Sequence, residues 1–195
     1  MKKVREFRLN STFKNIADRP HLFRDLKNPK SFIAIPQVSS ENRQYIPMDF
    51  LDDNFIPTTQ LMIIPDADLF YFGVLTSSVH MAWMKTVAGR LKSDFRYSAG
   101  VVYNNFVWCQ PTLEQRKKIE TTAQKIIAVR ALYADSSLAE LYDDTLMPKD
   151  LRDAHKENDE AVLAAYGFPA DFTESDIVAE LMNLYSLETF RQQKT

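Results

Sequence analysis

The residues best suited to chemistry crowd into one stretch, 85–108, which reads KTVAGRLKSDFRYSAGVVYNNFVW. It carries the cations Lys85, Arg90, Lys92 and Arg96 against a single anion, Asp94. Between them stand Phe95, Tyr97, Tyr103, Phe106 and Trp108, and the amides of Asn104 and Asn105. Cations and amides suit phosphates and base edges, while aromatic rings pack or stack. Lys92 and Asp94 are two residues apart, so in an extended loop they point the same way. A lysine donates to guanine O6 and N7, and an aspartate accepts from cytosine N4. The two together suit one G·C base pair. On chemistry alone a solvated surface ion pair is the simpler account of them, and core packing the simpler account of the rings.

A second candidate is 38–47, VSSENRQYIP. Ser39, Ser40, Asn42 and Arg43 are polar donors that follow a strand-like run. They suit either a phosphate backbone or a plain polar hairpin.

Signatures of catalysis are missing. There is no glycine-rich phosphate loop and no nucleophile elbow. The three histidines, His21, His80 and His155, are far apart, with no metal-type partner at helical or hairpin spacing. His80 reads as a packing or capping residue. The lone Cys109 excludes an internal disulfide framework and a cysteine zinc cage, and reads as a half-buried thiol. Asp52-Asp53 and Asp66-x-Asp68 are more simply turn residues than cation ligands. A methyltransferase would also need a cofactor loop and a base-flipping motif, and neither is present.

These groups need elements to hold them. Residues 31–38 (SFIAIPQV) read as β-rich, with Pro36 marking an edge or bulge. Residues 60–64 and 69–75 read as neighbouring strands about the turn-like 65–68. Ser77 or Ser78 caps a helix to about Ala88, with Gly89 as its stop. Residues 1–30 read as a loop-rich entry with a short helix near 20–26. After Thr112 the chain turns helical. Thr112 with Gln115 fits a capping box, opening a helix to about Tyr133 with a stripe of Leu113, Ile119, Ala123, Ile126, Ile127 and Val129. Ser137 with Glu140 fits a second box. Pro148 and Gly167 bracket a helix over about 149–166, and Thr173 with Asp176 opens the last, to about Phe190.

The 195 residues are 45% hydrophobic, enough for one large domain or two small ones. The net charge of −2 is unevenly spread, at +6 over 1–30, −2 over 31–112 and −6 over 113–195. A polyanion, if bound, would meet the first part. No apolar run approaches the ~20 residues of a membrane span, and the charged start is no secretory leader. The expectation is a cytoplasmic protein without a membrane partner.

Four stretches resemble the MmeI-like restriction–modification enzymes and related large adenine-specific DNA methyltransferases. They are VREFRLNS (4–11), IPQVSSENRQYIP (35–47), the long run from IPDADLF to YNNFVW (64–108), and LYDDTLMPKDLRDAHKENDEAVLAAYGF (141–168). The resemblance implies a target-recognition domain followed by a helical C-terminal domain. The catalytic motif and the S-adenosylmethionine site would then lie upstream, so no cofactor is expected within this chain and S-adenosylmethionine is expected in the parent. It further implies that the residues flanking the serine after GRL, Lys92 and Asp94, read sequence. One departure is visible: family members often have F-P-W-P where this chain has Phe106-Val107-Trp108-Cys109.

The expected fold is therefore α+β, with a mixed or antiparallel sheet and helices over 1–111, the C-terminal portion of the target-recognition domain, and an all-α C-terminal domain over 112–195. The expected role is DNA recognition for an adenine methyltransferase, possibly fused to a nuclease. The expected partners are double-stranded DNA and the methyltransferase domain of the same or another chain. The expected DNA contacts are Lys92, Asp94, Arg90, Arg96, Tyr97, Ser39, Ser40, Arg43, Asn104 and Asn105. The alternative is a protein-interaction domain that docks a methyltransferase or nuclease subunit through its acidic helical tail.

Overall fold

The computed structural model describes residues 1–12, 14–21 and 29–192. The fold is α+β, with two small antiparallel sheets and a helical C-terminal part. The first sheet has β1 (Ser31–Pro36) at its centre, flanked by β3 (Asp49–Asp52) and β4 (Leu61–Pro65). Its middle residues Phe32, Ile33, Ala34 and Ile35 are all buried, which explains the unbroken apolar run there.

Gln37 carries the chain out of this sheet and into the second. Its amide donates to the Gln60 carbonyl at 3.0 Å, and its carbonyl accepts from the Tyr97 amide at 2.8 Å. The second sheet then runs β2 (Val38–Ser39), β6 (Asp94–Arg96), β5 (Gly89–Leu91). The break that Pro36 suggested is thus a change of sheet.

Helix α1 (Lys2–Leu9) buries none of its residues, and a 3-10 turn follows at Lys14–Ile16. The short helix expected near 20–26 falls mostly outside the described residues. Residues 69–75, read as a strand from composition, form helix α2 (Leu69–Leu75). Asp68 caps it by accepting from the amides of Phe70 at 3.0 Å and Tyr71 at 3.2 Å. Phe70, Phe72, Gly73, Val74 and Leu75 are all buried, so the helix lacks the polar face that would reveal its period. Helix α3 (Ser78–Val87) is capped by Ser77, as the sequence suggests.

The helical part follows its local signals closely. Both capping boxes form, at the starts of α4 (Leu113–Ala131) and α5 (Leu138–Leu141). Gly167 ends α6 (Lys149–Tyr166) at a φ of 73°, a left-handed conformation that glycine adopts without penalty. Thr173 donates its hydroxyl to Asp176 at 2.6 Å at the start of α7 (Glu174–Gln192). In α4 the stripe is narrower than expected. Ile119, Ala123 and Ile126 are buried, but Leu113 is 89% exposed because it sits in the first turn, before the helix meets its partners.

One apolar core runs from β1 through α7. Helix α4 packs on α2 and α6, and α3 packs on α7, so residues on either side of position 111 share that core. The contact is close at Gly73. A Cβ placed there would lie 2.6 Å from Ile119 Cγ2 and 3.1 Å from Asn158 Oδ1. Asn158 fills the gap usefully. Its amide donates to the Gly73 carbonyl at 2.7 Å, and its oxygen accepts from Thr122 at 2.9 Å.

Candidate nucleic-acid interface

Strands β5 and β6 form a tight hairpin whose tip is Lys92-Ser93. Leu91 pairs with Asp94, Arg90 with Phe95 and Gly89 with Arg96. The extended loop expected here is therefore a two-residue turn. Lys92 adopts a φ of 58°, in the left-handed region. No glycine or asparagine stands at this position to relieve it, and a lysine there carries strain. Leu91, Lys92 and Ser93 are all exposed.

Alternation along β6 sorts the remaining candidates. Phe95 and Tyr97 point inward and are buried, whereas Arg96 is exposed and Asp94 half-buried. Tyr97 is only 2% exposed, and its hydroxyl lies 2.9 Å from His80 Nε2. It is a core residue, which corrects its assignment as a DNA contact. Burial pushes the Tyr97 phenol upward and holds the His80 imidazole down at about 3.

Ser39 needs the same correction. It pairs with Phe95 across β2 and β6 and is 3% exposed, so its hydroxyl faces the interior and has no hydrogen-bond partner among the described residues. Ser40 is half-exposed, and its hydroxyl accepts from the Asn42 amide at 3.3 Å. Arg43 is half-exposed and reaches the Ala139 carbonyl at 3.4 Å, which ties the polar turn to α5.

The second sheet thus gathers Ser40, Arg90, Lys92, Asp94 and Arg96 on and around one hairpin. Asn104 and Asn105 lie elsewhere. They close the π-helical turn Ala99–Tyr103 and line a recess with Tyr185, Glu188 and Thr189 of α7. Asn105 donates to the carbonyls of Gly100 at 2.8 Å and Val101 at 3.1 Å, so its amide is spent on holding that turn.

One residue escaped the sequence reading. Glu41, two residues past Ser39, extends to Arg90 at 3.3 Å. Arg90 also lies over the Phe95 ring at 3.8 Å and donates to the Ser93 carbonyl at 2.6 Å. The signal available was the opposite charge of Glu41, set in an otherwise neutral and basic polar turn.

No helix among the described residues is long and apolar enough to cross a membrane. Among the same residues no group of three or more histidine, cysteine or carboxylate side chains is placed to hold a metal ion. Cys109 is buried, and burial raises its thiol to about 11, far from a reactive value.

Residues 1–110 match the family model for the MmeI target recognition domain, and residues 112–190 match the one for the MmeI C-terminal domain. DNA methyltransferase A of Bacillus subtilis (strain 168) is 36% identical over 191 residues, 97% of this chain and 22% of that protein. The solved structure of the Type IIL restriction-modification enzyme MmeI in complex with DNA superposes with a TM-score of 0.86 at 43% identity. That match covers 96% of this chain and 26% of the enzyme's, so the chain spans about a quarter or less of the length of these relatives. The chain belongs to the MmeI family and carries its target recognition and C-terminal domains.

Proposed function

We propose that this chain is the DNA sequence-recognition module of a larger S-adenosylmethionine-dependent N6-adenine DNA methyltransferase in a restriction–modification system. The observation that carries the reading is the exposed β5–β6 hairpin, with Lys92 strained at its tip and Asp94 beside it. A two-stranded ribbon of this size fits a major groove. There Lys92 donates to guanine O6 and N7, and Asp94 accepts from the N4 amino group of the paired cytosine. Arg96, Ser40 and Arg43 supply phosphate contacts that place the hairpin without reading sequence. Strain at a functional tip, retained although glycine would relieve it, suits a side chain kept for what it touches.

Methyl transfer and S-adenosylmethionine binding belong to the rest of the parent protein, which is the second partner of this module. A methyltransferase domain closing on the DNA from the other side would provide much of the total affinity. The 195-residue chain alone should bind duplex DNA weakly, on the order of micromolar or weaker at low salt, and lose affinity steeply as salt rises. A fluorescence titration of the chain against a labelled duplex across salt concentrations checks this. Binding that ignores salt, or no binding at low salt, would contradict a self-sufficient reader.

A further inference from the structure

The base-reading role of Lys92 and Asp94 leaves open what holds the tip in register. Strands β5 and β6 are three residues each, and β2 adds only two residues of pairing on the far side of β6, so the backbone ladder alone holds the turn weakly. The left-handed Lys92 adds strain at the turn. Something else must fix it. Phe95 is buried in the core, and the Arg90 guanidinium lies 3.8 Å above its ring. The same group donates to the Ser93 carbonyl at 2.6 Å, inside the turn. Glu41 meets it at 3.3 Å from the neighbouring polar turn. A line of contacts therefore runs from the core through Phe95 and Arg90 to the turn, and the Glu41 carboxylate fixes the rotation of its middle member.

We propose that Glu41 and Arg90 form a specificity-positioning pair that holds the hairpin tip in the one geometry in which Lys92 and Asp94 face a single base pair. Arg90 acts through the turn, and Glu41 acts through Arg90. Both side chains are about half exposed, so the pair does little for overall stability. Its effect is geometric, because base readout depends on donors and acceptors held within fractions of an ångström. The proposal rests on the reading role given above.

The test uses the full-length protein that carries this chain. The ratio of kcat/KM on the cognate site to that on each singly altered site is measured for Glu41→Gln, Glu41→Asp, Arg90→Gln and Lys92→Ala. Glu41→Gln and Arg90→Gln are expected to lower discrimination about tenfold at the base pair that Lys92→Ala also affects, and to spare other positions. Glu41→Asp keeps the carboxylate and should recover part of the loss. Amide exchange over 89–96 should quicken in Glu41→Gln. If Lys92→Ala loses discrimination while Glu41→Gln and Arg90→Gln retain it, the positioning proposal falls and the reading stands. If Lys92→Ala also retains it, the reading falls and takes the proposal with it. An equal loss at every base pair would mark the pair as merely structural and overturn the proposal.

Discussion

The β5–β6 hairpin and the seam between α2, α4 and α6 are built on opposite terms. The hairpin tip is exposed and strained at Lys92, and Arg90, lying over the buried Phe95 ring, reaches into its turn. The seam is largely buried and hydrogen-bonded across several elements. Arg130 of α4 donates to the Tyr142 hydroxyl and to the Met48 carbonyl at 2.7 Å, and its guanidinium lies 5.3 Å over the Phe72 ring. Tyr142 in turn meets His155 Nε2 at 2.7 Å, and His155 stacks on Tyr45 at 4.2 Å. The Tyr45 hydroxyl donates to Asp159 at 2.6 Å, and Asp159 also accepts from the Ser78 amide at the start of α3. This network joins the loop 45–48 to α3, α4 and α6. It teaches a division of labour, in which exposed side chains at the tip can change while the buried platform of the seam cannot.

That contrast breaks most sharply at Arg130. Arg130→Met leaves the Tyr142 hydroxyl and the Met48 carbonyl buried without their donor. The expected cost is about 2–4 kcal/mol of stability, read as a fall in the urea midpoint. A loss under 1 kcal/mol would mean that the seam is not the platform described.

Acid acts with a smaller effect on two buried histidines, His155 in the seam and His80 against Tyr97. Burial holds His80 and His155 near 3 in the folded chain, below the ordinary 6.5. Between those values the unfolded chain binds more protons. The stability they provide is complete above about pH 6.5 and drains away as pH falls toward 3. Asp159 opposes this, since burial raises it from 3.8 to about 6. Its contribution is complete below about pH 4 and is lost as pH rises through 6. Two protons outweigh one, and below about pH 4.5 Glu140, Asp143 and Asp176, held low by local hydrogen bonds, add to the loss. The melting temperature should therefore fall between pH 7 and pH 5, and less so in His80→Gln. A rise on acidification would contradict the neutral buried imidazoles.

The smallest stability change is expected at the tip, and with the opposite sign. Lys92→Gly removes the left-handed strain and should stabilise the fold by about 1 kcal/mol, while base discrimination is lost. A variant that is less stable would place Lys92 among the structural residues.

The sequence was most legible where structure is local. Thr112 with Gln115, Ser137 with Glu140, and Gly167 each announce a helix end through chemistry that acts within three or four residues. It was least legible where burial is heaviest. The run LFYFGVL shows no period because nearly every face of α2 is covered. At the candidate site, residue type marked the stretch that forms the exposed hairpin but not which of its side chains face outward. Ser39 and Tyr97 have the chemistry of DNA contacts but point inward. The alternation of Asp94, Phe95, Arg96 and Tyr97 carried that information, and reading the stretch as a loop concealed it. The Glu41–Arg90 pair joins positions 49 residues apart, a distance that pattern alone does not bridge.

The most direct measurement is a reciprocal exchange in the full-length protein, Lys92→Asp with Asp94→Lys, followed by sequencing of the methylated sites. Aspartate tolerates the left-handed position, so the hairpin should survive the exchange. The account predicts a methylated site altered at one base pair and unchanged elsewhere. An unaltered site, made by a folded and active variant, would contradict it.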